Sequence, residues 1–122
     1  REVEIDMSIE NIALEAAQSW LELVDSEKYA ESWDEAAKYF QDAISREKWS
    51  SSLKSIRNPL GRKISRNVKS KQYQTSLPGV PDGEYLVVQF NTSFEHKSSA
   101  IETVTPMKGS DGKWHVSGYY IN

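Results

Sequence analysis

The chain has 122 residues, with 15 basic and 18 acidic side chains for a net charge of −3, four tryptophans and no cysteine. That length suits a single domain, 1–122. The missing cysteines exclude a disulfide scaffold, a cysteine-liganded metal and a cysteine nucleophile. No apolar run approaches the ~20 residues of a membrane span.

The charge is segregated along the chain. Residues 1–44 hold 12 acids against 3 bases, residues 45–74 hold 9 bases and the single acid Glu47, and residues 75–122 hold 5 acids and 3 bases. An acidic front therefore precedes a basic middle.

After a lead over 1–7, the helical part is expected over 8–57. Ile9, Ile12, Ala13, Ala16, Trp20, Leu23 and Val24 recur at helical spacing over residues 8–28, with Ser8 as the expected N-cap. Ser32-Trp33-Asp34-Glu35 has the form of a capping box and predicts a second helix starting at Ser32, with Trp33, Ala36, Ala37, Phe40 and Ile44 on its apolar face. Ser45 can cap a third helix carrying Trp49, Ser52, Leu53 and Ile56 on one side. Pro59 should end it near Arg57.

The sheet is expected over 62–121. Ile64, Arg66 and Val68 alternate with polar residues, and Tyr73, Thr75 and Leu77 alternate in the opposite phase. The switch predicts a bulge near Ser70 or Lys71. A turn over 78–83 leads to the clearest strand, Glu84 to Glu95. There Leu86, Val88, Phe90, Thr92 and Phe94 share one face. Ala100 to Met107 is a β-branched run interrupted by Glu102. In the last strand Trp114, Val116, Gly118 and Tyr120 fall opposite His115, Ser117, Tyr119 and Ile121. The four tryptophans are expected in the core. Three helices followed by about four antiparallel strands is an α+β pattern, with the first helix laid across one face of a curved sheet.

Four stretches carry a resemblance. They are Arg57-Asn58-Pro59-Leu60-Gly61, Leu77 to Tyr85, Ile101-Glu102-Thr103-Val104-Thr105, and Asp111 to Val116 with Gly118-Tyr119-Tyr120-Ile121. In order and spacing the chain resembles, over residues 12–121, the bacterial domain of unknown function 4019 family. The resemblance implies a cystatin-like fold, related to the nuclear-transport-factor-2-like group, and an exported, periplasmic or secreted protein. It implies no reaction, because that fold group hosts isomerases, dehydratases and plain binding modules alike. The chain opens on Arg1, not Met, which fits either a processed or a trimmed chain; with the resemblance, the expectation is a removed signal peptide, a cytoplasmic location being the alternative.

The residues themselves name no chemistry. His96 and His115 lack a converging third ligand, so no metal is expected, and no cofactor motif is present. No serine sits in a nucleophile-elbow frame, so no catalytic residue is assigned. Glu102 is the best candidate for a general base of a lyase or isomerase, assisted by a nearby tyrosine. The competing reading is that Glu102 faces water or makes an ordinary cross-strand ion pair with a Lys or Arg. The bases of 45–74 suit a polyanion, but with only Trp49 and Tyr73 among them they are poor for stacking nucleobases, and nucleic acid is not an expected partner. The leading expectation is a non-catalytic module that binds a small molecule or a protein through the concave or open face of its sheet. Its candidate ligand residues are Arg66, Tyr85, Gln89, Glu102 and Tyr119, with homodimerisation through the sheet as a further expectation.

Overall fold

A computed structural model describes residues 2–122, with side chains from residue 8 onward. Helix α1 (Glu2–Asp25) is followed by three shorter helices, α2 (Tyr29–Asp34), α3 (Lys38–Ala43) and α4 (Arg46–Arg57). A 3-10 turn over Asn58–Leu60 then leads into strands β1 (Lys63–Gln74), β2 (Tyr85–Phe94), β3 (Lys97–Lys108) and β4 (Trp114–Ile121). The strands form one open antiparallel sheet in the order β1-β2-β3-β4. The fold is thus α+β, with α1 packed on one face of the sheet and the opposite face open except where the β1–β2 connection covers Tyr85.

Helix α1 turns Ala13, Ala17, Trp20, Leu21 and Val24 onto the sheet, where they meet Leu86, Val88, Phe90, Val104 and Val116. The two alanines permit the close approach, since a larger side chain would hold helix and sheet apart. The helix starts at Glu2, so the expected lead over 1–7 is helical from its second residue and Ser8 lies inside the helix instead of capping it.

The expected second helix is two helices. Ser32 sits inside α2, and Glu35, expected to complete the box, is the C-cap residue. The Ser32 hydroxyl donates to the Tyr29 carbonyl and accepts from Trp49 Nε1 at 2.9 Å, so it is unavailable as a cap. The chain breaks at Ala36-Ala37, both buried, and the Ala37 N–H donates to the Val116 carbonyl on the edge of β4. The Gln41 amide closes the end of α2 by donating to the carbonyls of Trp33 and Asp34. Ser45 does cap α4, accepting from the Lys48 N–H at 3.2 Å, and α4 ends at Arg57 as Pro59 requires. Arg57, not Ile56, takes the inward position on α4: Ile56 is exposed and Arg57 buried. Gly61, with φ +77°, lies against Glu95. An added Cβ would come within 2.8 Å of Glu95 Oε1.

The bulge in β1 falls between Val68 and Ser70, which leaves Lys69 as the extra residue. A second irregularity, between Val104 and Pro106, resets the phase of β4. Val104 pairs with Tyr119 and Pro106 with Val116, and the Ser117 hydroxyl donates to the Thr105 carbonyl inside the irregular stretch. Val116 and Tyr119 therefore share the helical side, and Tyr120, expected beside Val116, faces out with 61% of its surface exposed. Trp20 and Trp49 are buried as expected, whereas Trp33 and Trp114 are only half-buried.

Candidate functional site

Glu102 lies in the interior, fully buried. Arg66 reaches it from β1: Nε donates to Oε1 at 2.7 Å and Nη2 to Oε2 at 3.2 Å. The Thr92 hydroxyl donates to Oε1 at 2.6 Å, and the Tyr119 hydroxyl donates to Oε2. The other edge of the Arg66 guanidinium donates to Asp25 at the end of α1, with Nη1 to Oδ2 at 2.7 Å and Nη2 to Oδ1 at 3.0 Å. Arg57 adds a further bond to Asp25 Oδ1 at 3.0 Å while its guanidinium stacks over Phe94. Two carboxylates thus face two guanidiniums, and Lys63 stands 4.0 Å from Asp25 at the margin.

Burial opposes ionisation of Asp25, but the hydrogen bonds and charge of Arg66, then of Arg57, outweigh it and hold the carboxyl below its ordinary value of 3.8. Arg66 is desolvated too, yet its two carboxylates push its proton affinity well up. Burial first, and the Glu102 carboxylate next, push the Tyr119 phenol far above its usual range. Asp25, Arg66 and Tyr119 are therefore each held in their ordinary protonation state at neutral pH. Both Glu102 oxygens are taken by four donor bonds from three side chains. A base needs a free lone pair within reach of a substrate proton, and Glu102 offers neither the lone pair nor the access.

The accessible concavity lies elsewhere. A groove of about 600 Å³ runs between α1, α2 and the start of β4. Ala16, Trp20 and Leu23 of α1 and Trp114 and Val116 of β4 make its apolar surfaces, and Glu31, Asp34, Glu35 and Lys113 stand around it. Asp34 is engaged by Arg46, with bonds of 2.9 and 3.0 Å, whereas Glu31 and Glu35 have no ion-pair partner among the described residues. His115 stands at one end, its ring nitrogens 2.9 Å from Asp111 Oδ2 and 3.3 Å from the Glu35 carbonyl oxygen. Beyond it a second hollow of about 540 Å³ continues between the start of α3 and the β3–β4 turn.

The family model for proteins of unknown function, DUF4019, matches residues 16–119. The chain belongs to that family. No curated protein matches it.

Within this DUF4019 domain the five residues singled out from the sequence do not form one site. Arg66, Glu102 and Tyr119 meet in the interior cluster. Tyr85 is buried under the β1–β2 connection with its hydroxyl donating to the Pro81 carbonyl, and Gln89 lies on the bare face of the sheet beside Ser70. Asp25, Arg57 and Thr92, which no sequence pattern marks as site residues, complete the cluster. Trp114, expected in the core, lines the groove instead, beside carboxylates of α2 that no sequence motif singles out. The one available signal was Ile12, which keeps the helical period of α1 yet is 56% exposed, so the apolar stripe of this helix is wider than the sheet covers. Among the described residues no group of three or more potential ligands converges as a metal ion would require, and no helix is long and apolar enough to cross a membrane.

Proposed function

We propose that this domain is a non-catalytic binding module whose ligand site is the groove between α1, α2 and β4, on the helical, concave side of the sheet. The groove itself carries the reading: about 600 Å³ of space with an apolar, tryptophan-bearing floor and unpaired carboxylates at its rim. Small-molecule sites have this size and this balance of apolar lining with a few polar groups. The ligand class that fits is a small amphipathic cation, with an aromatic or aliphatic body against Leu23 and Trp114 and an amine toward Glu31 and Glu35. The face of a half-exposed indole also favours a cation.

A lyase or isomerase acting through Glu102 is the weaker reading, because a substrate would first have to displace Arg66, Thr92 or Tyr119 from a closed ion pair. Export to the periplasm and a cystatin-like wrapping of the sheet around α1 belong to the same proposal. The family resemblance supports both, and the absence of cysteine suits an extracytoplasmic compartment.

Calorimetric titration tests the site with two probes of the same body, phenethylamine and phenylacetate. The amine should bind at least about ten-fold more tightly, a difference of roughly 1.4 kcal/mol, and Trp114→Ala should abolish the binding. Equal affinities, a preference for the carboxylate, or no heat from either probe at millimolar concentration would overturn the proposal.

A further inference from the structure

The bare face of the sheet carries a composition unlike the rest of the surface. Cross-strand pairing sets out its rows. Ser70, Gln89, Thr103 and Tyr120 form one, of which Thr103 alone is buried, and Asn67, Asn91 and Ile101 form the next, which Asn122 completes through a reciprocal pair of backbone bonds with Ile101. Neither row contains a charged residue, in a chain of which 27% is charged. Lys69, the extra residue of the bulge on edge strand β1, is the nearest charge along these rows. A solvated sheet face usually carries Lys and Glu, and depletion of charge marks the centre of an interface.

We infer that this face is a docking surface for a second copy of the same chain. A two-fold contact brings residues near the axis against their own copies, so a charge there would meet a like charge. A face that must pair with itself therefore has a physical reason to be free of charge, whereas a face for an unlike partner would gain from complementary charges. The relief of the face is also self-complementary. Tyr120 projects from β4, and a shallow trough of about 210 Å³, lined by Ser65, Asn67, Asn91, Ser93 and Ser99, lies toward the other side of the same face. Two strand spacings separate β4 from β2, roughly 10 Å. Each Tyr120 can thus enter the trough of the partner, its ring on the backbone and its hydroxyl among the Asn and Ser side chains. Four strands of 8 to 12 residues span roughly 19 by 35 Å. In accessible surface that approaches the about 800 Å² per partner of a standard stable interface. The groove on the opposite side stays open in such a dimer.

Sedimentation velocity from 5 to 500 μM tests this on the wild-type chain and three variants. The wild type should pass from monomer to dimer within that range. Asn91→Lys and Tyr120→Glu, which place a charge at the trough and on the projection, should sediment as monomers at every concentration with unchanged far-ultraviolet circular dichroism. Lys54→Glu, on helix α4, should leave the dimer intact. A wild-type monomer at 500 μM, or a dimer that survives both charged substitutions, would overturn the inference. If either substituted chain loses its fold, amide exchange of the wild type at the two ends of the range replaces it. Slowed exchange of side-chain amides at Gln89 and Asn91 at high concentration supports the interface, and unchanged exchange rejects it.

Discussion

Ser32 and Ser45 both precede a helix-like run with a favourable frame, yet they do different work. Ser45 holds the first N–H groups of α4. Ser32 lies inside α2 and bridges it to α4 by accepting from the buried Trp49 indole. Removing the Ser45 hydroxyl should cost about 1 kcal/mol, the value of an N-cap. Ser32→Ala leaves the Trp49 N–H buried without an acceptor and should cost about 1–3 kcal/mol. Urea unfolding of the two alanine variants measures both losses, and an S32A chain as stable as wild type would contradict the bridging role. The Ser-x-x-Glu frame misleads here: Ser32 has it and is no cap, whereas Ser45, with Lys48 in place of the Glu, is one, and the difference is made by Trp49, 17 residues from Ser32.

Asp25 and Arg66 extend the argument at the same scale. The folded chain holds the Asp25 carboxyl below its unfolded value of 3.8. A depressed carboxyl contributes stability that is present above the unfolded value and is lost as pH falls through the folded one. The wild type should therefore lose stability below about pH 4, and Asp25→Asn should show a shallower loss across that window in acid unfolding curves. Arg66→Met leaves Glu102 buried beside only hydroxyl donors and should cost about 3–5 kcal/mol at pH 7, as expected for half of a broken buried pair.

At the scale of elements, the sequence was legible where periodicity acts alone. The alternation in β2 placed Leu86, Val88, Phe90, Thr92 and Phe94 on the buried face, and Pro59 ended α4. It was illegible where pairing irregularities intervene. The register shift in the β3–β4 pair exchanges the expected roles of Tyr119 and Tyr120, and no local residue pattern announces it. Glu102 stood out from its β-branched strand, and an ion pair with a basic residue was one of the readings open to it. Its partner Arg66 lies two strands away, and Asp25 and Arg57 come from two helices, so the cluster exists only once the helices have docked on the sheet. The groove was hidden for a related reason: Trp114 alternates with Val116 like a core residue, but α1 does not extend far enough sideways to cover it.

For the whole molecule, charge that is segregated in sequence becomes paired in space. Asp25 meets Arg57, Arg66 and Lys63, Asp34 meets Arg46, and Glu10 lies 3.8 Å from Lys71. Three acids of the front, Glu10, Asp25 and Asp34, thus meet five bases of the middle. Among the described residues, Lys48, Lys54 and Lys69 are the bases of 45–74 without such a pair, few for a polyanion surface. The chain should accordingly elute from a heparin column below about 0.2 M salt, where a protein with many phosphate-like contacts would be retained. The proposed binding function then rests on the surfaces the ion pairs leave uncovered, the groove above all.

Mapping amide chemical shifts during a phenethylamine titration tests that claim most directly. The shifts should concentrate at Ala16, Ser19, Leu23, Trp114 and His115, and leave Arg66, Thr92 and Glu102 unmoved. Shifts centred on Thr92, Glu102 and Tyr119 would mean that the interior cluster opens to a ligand, and would contradict the account.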